Sequence, residues 1–326
     1  MKIMRTLEQL LTSIENHLAQ TELPAEPELL YAPIAYSLSG GGKRLRPMLV
    51  LLAHAVFADN VQQALPAAGA VEVFHNFTLL HDDIMDNAAI RRGKPSVFAK
   101  WGQNVAILSG DAMLIYAYRL LCGLPADKLP QVLATFDDMA LEVCEGQQYD
   151  MDFEKKQKVS VVEYMHMIEL KTSALLAGSV LIGALLGGAS ENDCRKLRRF
   201  AIELGLAFQL QDDLLDSYGD ERLGKAIGGD ILEGKKTYLM VTAMSRADEA
   251  TRNELRSLLA DSKMPAERKI AAVKAIYDRL DVPHLTEQQI ELRFERALAQ
   301  LETLSADPAR TAPLREFAAG LMGRNK

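Results

Sequence analysis

Apolar residues return every three to four positions along almost the whole of this chain, and strand-type alternation is hard to find. A period near 3.6 residues marks amphipathic helices, so the pattern confines the chain to an all-α fold. The spacing predicts helices over 4–19, 27–38, 47–58, 64–87, 95–101, 104–123, 130–153, 160–187, 191–218, 235–246, 248–260, 266–281, 286–304 and 308–322. Breaks are predicted at Pro24, Gly40-Gly41-Gly42, Pro125, Gly187-Gly188, Gly228-Gly229 and Pro265. Several of these segments exceed twenty residues, which suits a large bundle, and no period of 20–50 residues repeats as a solenoid would require. A composition 48% hydrophobic but only 6% aromatic suits closely packed helices. No Gly/Ser tract or Pro-rich spacer offers a place to cut, so residues 1–326 are expected to form one domain around a central cavity.

The net charge of −7, with both signs interspersed, argues against a nucleic-acid or membrane-surface binder. Cys122, Cys144 and Cys194 lack metal-ligand spacing and read as small core residues in a reducing compartment, which implies the cytoplasm. Glu8 and Glu15 interrupt the apolar pattern of residues 1–20, so that segment reads as a helix and not a leader. The most apolar stretch, 174–189, falls short of the ~20 residues needed to cross a bilayer. It reads as a buried core helix, with no stable membrane insertion.

Against this background two clusters of one spelling stand out: Asp82-Asp83-Ile84-Met85-Asp86 and Asp212-Asp213-Leu214-Leu215-Asp216. Asp is a poor helix residue. Like charges at i and i+4 cost roughly 0.2–0.5 kcal/mol, and carboxylates near a helix C-terminus oppose its dipole. A chain that accepts those costs twice breaks local rules where function is expected. Positions i and i+4 share a helix face, so Asp82 projects with Asp86 and Asp212 with Asp216. Facing each other across a cavity, two such pairs would hold hard cations. Mg²⁺ is usually bound by one or two carboxylates, with substrate phosphates and water completing its octahedron. A solvated acidic helix end is the bland alternative for one copy, and a poor one for two.

Basic residues follow the acidic ones. The loop Gly40-Gly41-Gly42-Lys43-Arg44-Leu45-Arg46-Pro47 runs into a helix start and sets three cations beside free N–H groups, an arrangement suited to an anion. Its spacing is not that of a P-loop. Arg91 and Arg92 come five residues after the first cluster and can fork onto phosphate oxygens. Lys171-Thr172 interrupts an apolar helix, and Lys225, Lys235 and Lys236 follow the second cluster. His75 lies two turns before Asp82, either at a second anion or as a satisfied core histidine.

With both DDxxD motifs, the GGGKRLRP loop and the RRG after the first motif, the chain closely resembles the trans-isoprenyl diphosphate synthases, from about Leu29 to Tyr238. The resemblance implies an all-α isoprenoid synthase fold, usually a homodimer. It implies head-to-tail condensation of isopentenyl diphosphate with an allylic diphosphate such as dimethylallyl, geranyl or farnesyl diphosphate. By position, Asp82, Asp86 and Asp212 resemble the main ligands of three Mg²⁺ ions, supported by Asp83, Asp213 and Asp216. Lys43, Arg46, His75 and Arg92 match the isopentenyl diphosphate pocket. Arg91, Lys171, Thr172, Gln209, Lys225 and Lys235 match contacts to the allylic diphosphate. An aromatic five residues before the first motif goes with short products in this family, and Phe77 fills that place. Stepping back along the helix puts Thr78 ~6 Å, Phe77 ~7.5 Å and Phe74 ~12 Å below the metal site. A floor made by Phe77 or Phe74 implies a C15–C20 product, with C20 favoured over longer polyprenyl chains.

Two Glu-x-x-His pairs, Glu72/His75 and Glu163/His166, raise a rival: a di-metal carboxylate oxidoreductase in a four-helix bundle. That reading leaves both DDxxD motifs and the GKRLRP loop unexplained. A terpene cyclase usually has a different second motif, and a non-catalytic synthase subunit would have lost acidic ligands.

Overall fold

The computed structural model describes residues 6–219 and 227–323. It is 79% helical. The helices are α1 (Leu7–Ala19), α2 (Glu28–Ser39), α3 (Leu45–Phe57), α4 (Leu65–Met85), α5 (Val97–Trp101), α6 (Gln103–Leu121), α7 (Leu129–Lys155), α8 (Val161–Ile168), α9 (Ala174–Gly187), α10 (Glu191–Tyr218), α11 (Gly229–Glu233), α12 (Tyr238–Arg246), α13 (Glu249–Ala260), α14 (Ala266–Arg279), α15 (Val282–Glu302) and α16 (Pro308–Met322). The one sheet among the described residues is the hairpin of β1 (Ile90–Arg91) and β2 (Lys94–Pro95).

Local chemistry explains the boundaries. Thr6 with Gln9 and Ser160 with Glu163 form capping boxes that satisfy the first N–H groups of α1 and α8. Thr237 and Asp248 cap α12 and α13 through their side chains. The predicted helix over 160–187 is instead two α-helices joined by a π-turn at Glu169–Ser173. Three further elements escaped the periodicity: the 3₁₀ turn Val61–Ala64, the hairpin, too short to show alternation, and the five-residue α11.

The chain forms two compact units: residues through Asp137 with Gly178–Leu197 and Ser305–Phe317, and Asp138–Ala177 with Arg198–Leu304 and the residues from Ala318 on. In the first, α3 is buried nearly all round, with Leu49, Val50, Leu51 and Ala53 fully inaccessible, as befits a helix apolar on every face. Gly183 and Gly187 let α9 lie against it: a Cβ at Gly183 would stand 2.1 Å from the Val50 carbonyl oxygen. In the second unit, Leu239, Leu255, Val273, Tyr277 and Val282 form a core with Leu214 of the second acidic motif.

The segment Val161–Gly187 has the length and apolarity of a membrane span, but 72% of its most apolar window is buried within the protein, the pattern of a core helix. Cys122 and Cys144 are exposed and Cys194 half-buried, so the expectation of three core thiols fails. Their small size fits an outward helix face as well as a packed one.

Candidate functional site

In the first unit, α4 carries its apolar face through Ala70, Val73 and Phe74 and ends at Met85, so Asp82 and Asp83 fall on its last turn and Asp86 on its C-cap. Asp83 is buried, Asp82 half-buried and Asp86 exposed. The chain then turns through Asn87 and Ala88 into the hairpin, where Ile90 pairs with Pro95 and Arg91 with Lys94. Arg92 and Gly93 occupy its two-residue turn with φ of 53° and 73°. Positive φ at both positions is the geometry that favours glycine there. The hairpin returns Arg91 to the aspartates: its Nε donates to Asp83 Oδ1 at 2.7 Å, and its NH2 reaches Asp82 Oδ2 at 3.2 Å. Burial pushes the Asp83 carboxyl up, and the Arg91 guanidinium opposes that shift.

A set of cations gathers beside this pair. Arg46 NH1 donates to His75 Nε2 at 3.0 Å. Burial and four surrounding arginines, Arg46 foremost, hold His75 well below its usual range, so the ring is neutral and can accept. Arg46 itself is pushed down to about 10, chiefly by burial. Its Nε is buried without a hydrogen-bond partner, a donor left for an anion. Arg92 donates through NH1 to the Gly41 carbonyl, and a Cβ on Gly42 would press on its guanidinium at 3.1 Å. Lys43 is exposed on the same loop. A small pocket of about 40 Å³ opens among Asn76, Asp83, Arg91, Arg92 and Lys94.

The third cation of the loop behaves differently from the expectation. Arg44 is 4% exposed and turns inward, pairing with buried Glu72 at 2.6 Å and with Glu15 at 2.8 Å. It anchors the loop, and a φ of 47° lets it do so. Glu72 also accepts from Asn76, and Glu163 belongs to a capping box. Both glutamates of the rival oxidoreductase are therefore committed elsewhere.

Below Asp82, half-buried Phe77 lies 5.5 Å from the ring of fully buried Phe74, which meets Phe136 at 5.2 Å; Tyr118 closes the stack 5.3 Å beyond. Thr78 is half-buried and gives its hydroxyl hydrogen to the His75 carbonyl, so it presents less polarity than its formula suggests.

In the second unit, Asp212 is exposed, Asp213 buried and Asp216 half-buried. Asp213 accepts from the Tyr164 hydroxyl, from the Tyr238 N–H at 2.9 Å and from Gln209 Nε2 at 3.0 Å. Burial nevertheless raises its pKa to about 6. Asp216 accepts from the Asp230 N–H at 3.1 Å. Asp230 is raised to about 7 by burial and by the carboxylates of Asp216 and Asp213. Gln209 accepts from the Thr172 hydroxyl at 2.9 Å, and Lys171 pairs with Asp150 at 2.6 Å. Both Lys171 and Thr172 sit on the π-turn, a device that often marks functional positions. Two glycines admit that turn: a Cβ on Gly146 would lie 2.2 Å from the Lys171 nitrogen, and one on Gly205 2.5 Å from the Ser173 hydroxyl. Lys235 is half-buried and pairs with Glu233 at 3.0 Å. Lys225 lies outside the described residues.

Tyr164, Asp150, Asp230 and Tyr238 escaped sequence reasoning. Only Asp230, in a glycine-flanked acidic-then-basic run, left a signal there. Among the described residues no three of His, Cys, Asp or Glu converge as a ready-made metal centre. The donors fit a hard cation all the same. Each cluster offers carboxylate oxygens alone, the set Mg²⁺ takes when phosphate and water supply the remaining positions.

Carboxylates for a hard cation, arginines and a neutral histidine for an anion, and a helix lined with aromatics define an all-α protein equipped to handle a diphosphate on an apolar tail. Residues 27–279 match the polyprenyl synthetase family, and the chain belongs to it. The family depends on divalent metal. A geranylgeranyl diphosphate synthase of Methanosarcina mazei is 45% identical over 224 residues, 68% of this chain and 69% of that one. A crystal structure of a geranylgeranyl pyrophosphate synthase matches with a TM-score of 0.94 at 44% identity, covering 99% of this chain and all of the other. The Corynebacterium glutamicum geranylgeranyl pyrophosphate synthase, solved with isoprenyl diphosphate and magnesium, matches with a TM-score of 0.83 at 29% identity, over 98% of this chain and 96% of that one.

Proposed function

We propose that this chain is a Mg²⁺-dependent trans-prenyltransferase that condenses isopentenyl diphosphate with dimethylallyl, geranyl and farnesyl diphosphates to a C15–C20 product, with geranylgeranyl diphosphate favoured. The observation that carries the reading is Arg91 bridging Asp82 and Asp83 beside the cation set of Arg46, Arg92 and neutral His75. Such a group binds a diphosphate and its metal together. Lys43, Arg46, His75 and Arg92 hold isopentenyl diphosphate. Arg91, Lys171, Thr172, Gln209, Lys225 and Lys235 hold the allylic diphosphate. Asp82, Asp86 and Asp212 are the principal metal ligands, with Asp83, Asp213 and Asp216 in support.

Bound Mg²⁺ supplies positive charge to the departing diphosphate. Arg91 and Lys171 add fixed cations where that negative charge develops, which lowers the barrier to ionisation electrostatically. Apolar side chains along α4 keep water from the allylic cation, and the double bond of isopentenyl diphosphate attacks it. The released diphosphate takes the final proton, so no side chain forms a covalent intermediate. Phe77, resting on Phe74, limits chain growth, and Thr78 beside it leaves room for C20.

The family match over residues 27–279 supports one catalytic domain. The exposed Leu108 and Ile115 of α6, 59% and 62% accessible, support a homodimer. A reducing, cytoplasmic setting completes the reading. Incubating the purified protein with labelled isopentenyl diphosphate, each allylic primer and Mg²⁺, then sizing the products, tests it. No chain elongation with any primer overturns it.

A further inference from the structure

A cavity of about 520 Å³ in the second unit lies outside everything assigned above. Its walls are the approach to α8 (Gln157–Val162), the segment from Lys236 into α12, and α13. The volume falls within the ~300–1,000 Å³ usual for small-molecule sites. Its floor is apolar: Met240 and Val241 are buried, Met244 is half-buried, and Val162 stands 79% exposed at the rim. Its polar lining carries four cations, Lys158, Lys236, Arg252 and Arg256, and no carboxylate.

Acids at the exposed start of α13 offset part of that charge: Asp248 acts on Arg252. Glu249 is 3.9 Å from Arg252, on the exposed side. Glu163 is spent on Ser160 and Lys156. Arg252 is held in place by its Nε, which donates to the Met244 carbonyl at 3.0 Å, and Arg256 leans on Asn253. Four concave cations in a chain of net charge −7 oppose the average field of the molecule. An inorganic anion would leave the methionine floor unused, and a neutral lipid would leave the cations unpaired. Methionines adapt to flexible chains.

We infer that this cavity is a second binding site for a prenyl diphosphate, the apolar chain lying on Met240 and Met244 and the diphosphate among Lys158, Lys236, Arg252 and Arg256. The cavity defines the class, an anionic amphiphile; the choice of a prenyl diphosphate rests on the proposed function, which generates one on this chain. The location gives such a ligand a consequence. Tyr164, on α8, and the Tyr238 N–H, two residues past Lys236, both donate to Asp213. Both walls thus end on one carboxylate of the second aspartate cluster. A ligand that draws them together shifts the metal affinity of that cluster, and metal shifts the ligand's affinity by the same factor.

The test is calorimetric titration of geranylgeranyl diphosphate, without metal, into protein carrying Asp82→Asn, Asp212→Asn, Arg46→Ala and Arg91→Ala, which removes diphosphate cations of the first unit together with metal ligands. One saturable site is expected. Lys158→Glu with Arg256→Glu in that background should weaken it at least about tenfold, and Met244→Trp should abolish it by filling the floor. One variant keeps the floor and the other the charges, so a shared loss with unchanged melting temperature is not misfolding. No saturable binding, or binding indifferent to both changes, overturns the inference. So does inorganic pyrophosphate binding as tightly as the prenyl diphosphate, since the floor would then have no role. Flotation with phosphatidylglycerol vesicles in the same charge-dependent manner assigns the patch to a membrane and also overturns it. Wild-type turnover with isopentenyl diphosphate and primers is measured in parallel, so failure of the proposed reaction is read separately.

Discussion

In the first aspartate cluster the buried carboxylate, Asp83, meets a guanidinium; in the second its counterpart, Asp213, meets a phenol, an amide and a backbone N–H. The motifs are spelled alike, but among the described residues their buried carboxylates meet different partners. Arg91 and Arg92 act on Asp83, and with burial those two, Arg46 and Arg44 hold His75 well below its usual range. Beside Asp213 and Asp216 stands Asp230, which burial and those carboxylates raise to about 7 against the pull of Lys235. A motif thus states which donors are present but not how much charge a cation must neutralise. Among the described residues a guanidinium meets the buried carboxylate of the first motif, whereas neutral donors meet that of the second.

The largest expected effect applies to both clusters. Asp82→Asn and Asp212→Asn should each lower kcat on the order of 10³-fold, the scale of losing a main electrostatic partner of the transition state. A loss below about tenfold in either assay removes that cluster from the chemistry. Next comes Gly146→Ala, which forces a methyl onto the Lys171 backbone. It should destabilise the chain by about 3 kcal/mol in denaturant unfolding, and a neutral result means the π-turn yields freely.

The countercharge contrast is sharpened by a pair of variants. Arg91→Lys keeps charge but loses the fork, and should raise KM for the allylic diphosphate. Tyr164→Phe leaves an Asp213 oxygen short of a donor and should cost about 1–3 kcal/mol of stability with little change in that KM. The reverse pattern would break the comparison. Phe77→Ala should lengthen the product by opening the space above Phe74; an unchanged distribution means the floor lies elsewhere.

The smallest effect is in pH, and its sign differs between the units. His75 titrates well below 6.5 when folded, so the unfolded chain takes up the proton first and stability falls as pH drops through about 6.5. Asp230 titrates at about 7 when folded against 3.8 unfolded, so its favourable contribution is present at low pH and is lost as pH rises towards 7. In melting of metal-free protein from pH 4 to 8, His75→Gln should therefore gain stability relative to the wild type as pH falls, and Asp230→Asn should gain it as pH rises. Parallel profiles for the two variants would contradict the assignment.

The limits of the sequence are visible in particular residues. Helical periodicity located α7, α10 and α16 to within a residue or two, because burying a stripe of apolar side chains leaves a period that survives any packing. The acidic motifs were equally plain, since metal chemistry admits few residue types. Arg44 was misjudged because a cation in a basic loop and a cation turned onto a buried glutamate read the same in one dimension. Tyr164, whose hydroxyl completes Asp213 from 49 positions away, left no local trace.

The sequence by itself determined an all-α fold, both aspartate clusters and the family chemistry they imply, since periodicity and residue type are local properties. Tertiary structure decided which cations stand beside the first aspartates and which brace the loop, where α8 passes into a π-turn, and why motifs of one spelling have different partners. Those outcomes depend on partners distant in the chain, and on the removal of water that makes a buried charge matter.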